Sequence, residues 1–207
     1  MTEPKSKSLA RGFAKDDFNG ISEKTSSFAN RNDVFLAVNA STFDVNTNEL
    51  RGINVQGEQI FKGQSNIYGR TYLIYKEGKL GYTSDPLKEK NIDFSLVGFF
   101  PIIANKENVI HKFDEDYPHK GNPNPQQIIY QYSDGQIGFL TVEGRSNNQR
   151  GLTIEECCDI LIEHNVDFAY LMDGGGSIST CINGFMVNDA PERSGERPVK
   201  DFLYFKE

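Results

Sequence analysis

The stretch Phe168–Ser177, FAYLMDGGGS, joins an apolar run to a carboxylate and three consecutive glycines. The run over 168–172 has the length and composition of a buried β-strand. Glycine lets the backbone turn sharply or approach another group closely, and three in a row exceed what a turn needs. An acid at a strand end, followed by bare backbone, therefore predicts a polar-ligand site in which the Gly174–Gly176 amides form an anion nest. The alternative is a tight turn in which Asp173 only caps the backbone.

A strand–helix–strand unit leads into this stretch. Thr153-x-x-Glu156 is a capping-box pattern, and apolar residues recur at helical spacing from there to about residue 164. Apolar runs over 137–142 and 167–172 flank this helix. Crossovers of this kind are right-handed and usually place the two strands parallel.

Strand signals dominate the rest of the chain. Apolar runs and turn dipeptides predict hairpins over 51–61, 71–82, 127–142 and 181–186, and further strands over 34–38, 94–103 and 202–205, whereas 111–125 has loop composition. The predicted class is α+β, a mixed, strand-rich sheet core with one crossover helix over about 153–164 and several hairpins. We expect residues 1–27 to be a polar N-terminal arm with weak order at its start, and residues 28–207 to form one domain.

The composition excludes several classes of protein. The 207 residues carry a formal net charge of −7, which argues against a general nucleic-acid or anionic-membrane surface. The cysteines Cys157, Cys158 and Cys181 are odd in number and lack zinc spacing, so we expect buried thiols. We see no membrane span and no signal-peptide pattern. Localisation stays open between the cytoplasm and a larger extracellular assembly, and the oligomeric state is not predicted.

Arg197 is a candidate for binding phosphate. Pro198 restricts the backbone before it and so directs the guanidinium of Arg197, which is suited to bidentate recognition of phosphate. The alternative is a surface arginine paired with Glu196.

Two other strand ends also carry polar groups. Asn39 follows one buried strand, and Glu143 and Arg145 follow another. For Asn39 alone, an Asx turn is the simpler interpretation. Because ligands gather beyond the carboxyl ends of strands, we expect these junctions to converge with Asp173 on one site.

Together these motifs resemble the phosphodiester glycosidase family over roughly residues 28–207. The family often carries an arginine just before the Asp-Gly hairpin, where this chain has Gln126, and Arg70 is a candidate to supply that charge. The resemblance rests on the segments 37–44, 97–101, 141–146, 151–153, 173–177, 183–188 and 196–199.

The resemblance implies hydrolysis of the glycosidic bond of a sugar-1-phosphodiester, such as a GlcNAc-1-phosphodiester in a cell-wall or teichoic-acid-like glycan. Asp173 is the first candidate for nucleophile or general base, and Glu143 is the next carboxylate. The expected partner is a phosphorylated saccharide, with no nucleic acid and no membrane span. Substrate binding is expected from Asn39, Arg145, Gly174, Gly175, Gly176, Ser177 and Arg197.

No cofactor is expected, although Asp44, Glu143 and Asp173 are hard oxygen ligands that leave a divalent metal open. Two functions from other classes remain. One is a non-catalytic module that binds phosphorylated saccharides or nucleotide phosphates. The other is an accessory domain of a phage or cell-envelope assembly.

Overall fold

The computed structural model of the protein describes residues 9–65, 67, 71–115, 117–146 and 148–205. Within these ranges the chain forms two α-helices and 17 strands. The helices are α1 (Thr25–Asn32) and α2 (Ile154–Glu163). The strands are β1 (Leu9–Phe13), β2 (Leu36–Asn39), β3 (Phe43–Asp44), β4 (Glu49–Leu50), β5 (Ile53–Gln56), β6 (Gln59–Lys62), β7 (Tyr72–Lys76), β8 (Lys79–Thr83), β9 (Phe94–Leu96), β10 (Phe100–Ala104), β11 (Glu107–Asn108), β12 (Gln126–Gln131), β13 (Ile137–Val142), β14 (Phe168–Leu171), β15 (Thr180–Ile182), β16 (Phe185–Met186) and β17 (Asp201–Phe205).

The strands form three five-stranded sheets and a small ribbon of β3 and β4. The first sheet has the order β1-β17-β2-β15-β16, the second β11-β10-β14-β12-β13, and the third β6-β5-β9-β7-β8. In the described residues, each ladder between these strands is antiparallel, which corrects the mixed sheet expected from the sequence. β13 and β14 do run parallel, but β12 lies between them and is antiparallel to both.

The second sheet is covered on both faces. Successive residues of a strand point to opposite sides of the sheet, so its strands contribute to two different clusters of buried residues. In β12, Ile128 packs towards α2, and Ile129 packs towards the first and third sheets. In β14, Leu171 and Tyr170 divide in the same way. In a third cluster, Phe28 of α1 packs against the first sheet, which contributes residues such as Ala37, Cys181 and Phe202. Asp173 therefore lies just beyond the carboxyl end of a fully buried strand.

The strongest local signals in the sequence are confirmed. Thr153 caps α2: its hydroxyl accepts from the Glu156 amide at 3.1 Å, and the Glu156 carboxylate accepts from the Thr153 amide at 2.8 Å. All four predicted hairpins form, as β5–β6, β7–β8, β12–β13 and β15–β16. The three cysteines are free and buried.

The single strand expected over 94–103 is instead two strands in different sheets, β9 and β10. The chain crosses between the sheets at Gly98. A Cβ atom there would lie 2.5 Å from the carbonyl oxygen of Leu171, so only glycine fits. The apolar composition of both strands concealed this break.

The expected N-terminal arm is also corrected from residue 9 onward. Leu9–Phe13 pairs with β17, and α1 packs on the same sheet. Arg11 is 3% exposed and donates to Asp201, Asn54 and the Ser95 carbonyl. The polar composition of this segment predicted an arm. That prediction was wrong because the partners of these residues lie far away in the sequence. Residues 1–8, where we expected weak order, lie outside the described residues.

Candidate active site

The strand β14 ends in a loop that is fixed by neighbouring segments of the chain. The amide of Met172 donates to the Gln127 carbonyl at 2.9 Å, and the amide of Asp173 donates to the Ala40 carbonyl at 3.0 Å. These bonds join the carboxyl end of β14 to the start of β12 and to the segment that follows β2. The backbone that carries the Asp173 side chain is consequently held by hydrogen bonds to two other segments of the chain.

A pocket of about 220 Å³ opens above this loop. It brings together Asp173, Arg145 and Arg197, as the sequence predicted. The described part of the pocket is rich in cationic and polar groups, in contrast to the net acidic chain. Its lining residues are Phe99, Tyr117, His119, Asn124, Pro125, Gln126, Arg145, Asp173, Gly174, Gly175, Gly176 and Arg197.

The glycines let two guanidinium groups pack directly on the loop backbone. Gly175 has φ +57°, and a Cβ atom there would lie 2.8 Å from Nη2 of Arg145. A Cβ atom on Gly176 would collide with the guanidinium of Arg197. The expected anion nest is not supported at Gly175, because its amide donates to the Pro125 carbonyl at 2.9 Å. Positive charge at this loop therefore comes from the guanidinium groups of Arg145 and Arg197 rather than from the Gly175 amide.

Asp173 is the acidic residue among the described residues that line the pocket. Burial raises the pKa of its carboxyl to about 7, against the smaller opposing effects of the Ser177 hydroxyl bond and the positive charge of Arg197. The nearby Asp201 carboxylate raises this pKa as well. A carboxyl group with a pKa near 7 changes protonation state at neutral pH, which is the property required for acid–base catalysis.

Arg197 bridges the loop to a more exposed segment. Its Nη1 lies 3.3 Å from the Ser177 hydroxyl, and its Nη2 forms an ion pair with Glu192. Glu196, the partner that the sequence suggested as an alternative, instead accepts from the amide and hydroxyl of Ser26, at 2.9 and 2.5 Å. The guanidinium is therefore directed towards the pocket.

Three predicted site residues do not line the pocket. Asn39 is fully buried beneath it, where it bonds the backbone of Asp173 and Ser179. Ser177 is 2% exposed, and its hydroxyl hydrogen-bonds to two residues that do line the pocket, Arg197 and Asp173. The Glu143 carboxylate accepts from the Gln149 side chain at 2.7 Å and the Asp189 amide at 2.6 Å, so it braces two loops.

The sequence missed the wall formed by residues 117–126. Burial raises the pKa of Tyr117 to about 12, so its phenol stays protonated, and Gln126 hydrogen-bonds to it. Burial and then the charge of Arg145 lower the pKa of His119. No spacing signal marked these residues, because they come from an irregular segment. Gln126, where the resemblance places an arginine, is an uncharged group of this wall.

Other expectations concern metals, membranes and Arg70. The described residues contain no group of three or more His, Cys, Asp or Glu side chains placed to hold a metal ion. In the same part of the chain, no helix is long and apolar enough to cross a membrane. Arg70, the candidate replacement for the family arginine, lies outside the described residues.

The chain matches the family model described as phosphodiester glycosidase over residues 32–206. Among curated proteins, it is 36% identical over 80 residues to the SPbeta prophage-derived uncharacterized protein YomE of Bacillus subtilis. That match covers 39% of this chain but only 12% of the relative.

Solved structures share the fold at low sequence identity. The catalytic domain of zebrafish N-acetylglucosamine-1-phosphodiester alpha-N-acetylglucosaminidase, auto-inhibited by its pro-peptide, aligns with a TM-score of 0.81 and 18% identity, covering 97% of this chain and 73% of that one. A hypothetical protein from Synechocystis aligns with a TM-score of 0.70 and 12% identity, over 97% and 57% of the two chains. A putative exported protein from Burkholderia pseudomallei gives 0.67 and 12%, over 98% and 72%.

Proposed function

Because the chain belongs to the phosphodiester glycosidase family, we propose that it hydrolyses the glycosidic bond of a sugar-1-phosphodiester. The observation that carries this proposal is a single pocket lined by Asp173, Arg197 and Arg145, in which the carboxyl of Asp173 has a pKa of about 7. A carboxyl group that titrates at neutral pH supplies acid–base or nucleophilic chemistry, and the guanidinium groups suit an anionic substrate.

Asp173 acts in its ionised form, either by attacking the anomeric carbon or by removing a proton from the attacking water. The departing phosphate monoester is a weak base, so it needs less protonation than an alcohol would. One carboxylate in the pocket therefore suffices, and Glu143 supports the loops around it. Positive charge in the pocket stabilises negative charge as the phosphate leaves.

The sugar that we propose is N-acetylglucosamine, which the name of the zebrafish enzyme supports. The apolar rings of Phe99 and Tyr117 line the pocket and provide surfaces for a pyranose ring. The prophage origin of the Bacillus relative supports an envelope glycan as the source of the phosphodiester.

The test is turnover of a GlcNAc-1-phosphodiester by the purified protein. Asp173→Asn should lower kcat by at least ~10³-fold, because it removes the base or nucleophile. Asp33→Asn is the matched control: residue 33 is exposed and left-handed, a conformation that asparagine adopts easily. Equal turnover by wild-type protein and Asp173→Asn would refute the role of Asp173.

A non-catalytic binding module is the second candidate, and the uncharged Gln126 in the pocket wall favours it. Calorimetric binding of a phosphorylated sugar without product after long incubation would support this module over the hydrolase. An accessory role in a phage assembly remains the third candidate and is favoured by the prophage relative. Turnover of the isolated chain would contradict a purely accessory role.

A further inference from the structure

Arg145 and Arg197 lie against adjacent glycines but in different electrostatic surroundings. Arg197 forms an ion pair with Glu192. Arg145 forms no ion pair with an acidic side chain of the described residues, and its hydrogen-bond partner there is Oδ1 of Asn124, at 3.4 Å. Within the described residues, Arg197 is thus paired with a carboxylate, whereas Arg145 is not.

The neighbours of Arg145 extend this difference to one whole end of the pocket. His119 lies near enough for the charge of Arg145 to lower the pKa of its imidazole. Its exposed ring lines the pocket and contacts the ring of Tyr117, with centroids 5.8 Å apart. This end holds a cation, an imidazole and the Asn124 amide. Arg197, in contrast, is paired with Glu192, and its positive charge acts on the Asp173 carboxyl.

We propose that Arg145 and His119 form the anion subsite of the pocket, and that Arg197 is a positioning residue. An anion at Arg145 gains a charge-assisted hydrogen bond without displacing a carboxylate, whereas an anion at Arg197 must first displace Glu192. This division rests on the proposed function only for the statement that the anion belongs to a sugar phosphodiester.

The positioning role follows from the partners of Arg197. Nη2 of Arg197 pairs with Glu192, and Nη1 donates to the Ser177 hydroxyl. That hydroxyl in turn hydrogen-bonds to the Asp173 carboxylate. Arg197 therefore acts on the reaction through Ser177 and through its charge. The sugar would lie at the Asp173 end and the phosphate at the Arg145 end.

Binding of inorganic phosphate, measured by calorimetry at pH 7, tests the anion subsite without requiring turnover. Arg145→Gln should weaken phosphate binding by at least ~10-fold, the scale of one lost charge-assisted interaction. Arg145→Lys, which keeps the charge but loses the planar fork, should lie between this variant and the wild type. Arg197→Gln should weaken binding by less than about 3-fold.

Arg193→Gln is the charge-matched control, because Arg193 is exposed and lies in the same segment as Glu192 without lining the pocket. Circular dichroism of each variant confirms folding. If phosphate binding depends on Arg197 as strongly as on Arg145, or if Arg145→Gln binds like the wild type, the division of roles is wrong.

A second readout separates positioning from a purely structural role. In Arg197→Gln, kcat for a GlcNAc-1-phosphodiester should fall more than KM rises, and the midpoint of the pH–rate profile should move upward, since the positive charge lowers the pKa of Asp173. Arg197→Lys should restore the midpoint. A midpoint that stays in place would overturn the positioning role.

The two proposals can fail separately. Phosphate binding that requires Arg145, in a protein without turnover, would refute the hydrolase and leave the subsite standing. Turnover together with phosphate binding that requires Arg197 would refute the subsite and leave the hydrolase. Wild-type protein that binds no phosphate at millimolar concentration would overturn the subsite.

Discussion

Asn39 holds the glycine loop through the backbone of Asp173. Its Nδ2 donates to the Asp173 carbonyl at 2.7 Å, and its Oδ1 accepts from the Ser179 amide at 3.0 Å. One fully buried side chain thus bonds both ends of the segment that contains the three glycines. A residue expected from the sequence to contact substrate instead stabilises the loop that presents the carboxylate.

Asn39→Ala should lower both stability and activity. It leaves a buried carbonyl and a buried amide without partners, at about 1–3 kcal/mol for each unsatisfied group. Urea unfolding measures the loss of stability, and kcat measured well below the unfolding midpoint shows whether the loop has lost its geometry. Unchanged kcat in a destabilised but folded variant would mean that the loop keeps its shape without Asn39.

The pH dependence of kcat/KM should report the ionisation of Asp173. The carboxyl pKa is raised to about 7, so the ionised fraction grows as the pH rises through that value. If Asp173 acts as base or nucleophile, kcat/KM increases with pH to a plateau above about pH 8. A phosphodiester substrate does not itself titrate near neutrality. A profile that falls through pH 7 would instead assign Asp173 as a general acid.

Asp173→Asn should stabilise the fold most at alkaline pH. Because the folded pKa lies above 3.8, the ordinary value of an aspartate, the native state binds more protons than the unfolded state between about pH 4 and 7. The cost of ionising this partly buried carboxyl therefore appears as the pH rises through this interval, and three pKa units correspond to at most about 4 kcal/mol. Thermal unfolding should show a larger gain for the variant at pH 8 than at pH 5. Equal gains at the two values would contradict the raised pKa.

The parts of the site that follow regular strands were predictable from the sequence. Asp173 and Arg145 come after apolar runs, and the glycines mark a close approach of backbone to side chains. His119 and Tyr117 were not, because tertiary contacts fix their irregular segment, such as the ring contact of Tyr117 with Phe99 at 5.1 Å. A distant contact was likewise required to recognise β1 as a strand, since it pairs with the C-terminal strand.

Gly175→Ala should impair anion binding more than its backbone cost explains. The left-handed φ of +57° disfavours alanine by about 1–2 kcal/mol, and the new Cβ atom would press on Arg145. Gly121→Ala is the control, because its φ is +69° and a Cβ atom there meets nothing within 4 Å. Both variants should lose similar stability in urea, but Gly175→Ala alone should bind phosphate more weakly. Equal phosphate binding by the two variants would argue that Arg145 tolerates the Cβ atom.

Arg11 should influence the reaction although it lies outside the pocket. It forms a fully buried ion pair with Asp201, and Asp201 accepts from the Ser41 amide at 2.8 Å, next to the Ala40 carbonyl that holds Asp173. Arg11→Met leaves the Asp201 charge buried without its cation, which costs about 3–5 kcal/mol. That uncompensated charge should raise the pKa of Asp173 further and move the pH–rate midpoint above 7.

The double variant Arg11→Met/Asp201→Asn completes the test of this connection. Because it removes the charge as well as its partner, it should regain part of the lost stability and return the pH–rate midpoint towards or below the wild-type value. With the single variant Asp201→Asn measured alongside, urea unfolding and the pH profile of kcat/KM each give the coupling between the two substitutions. A midpoint that does not move in Arg11→Met would show that the charge of Asp201 does not act on Asp173.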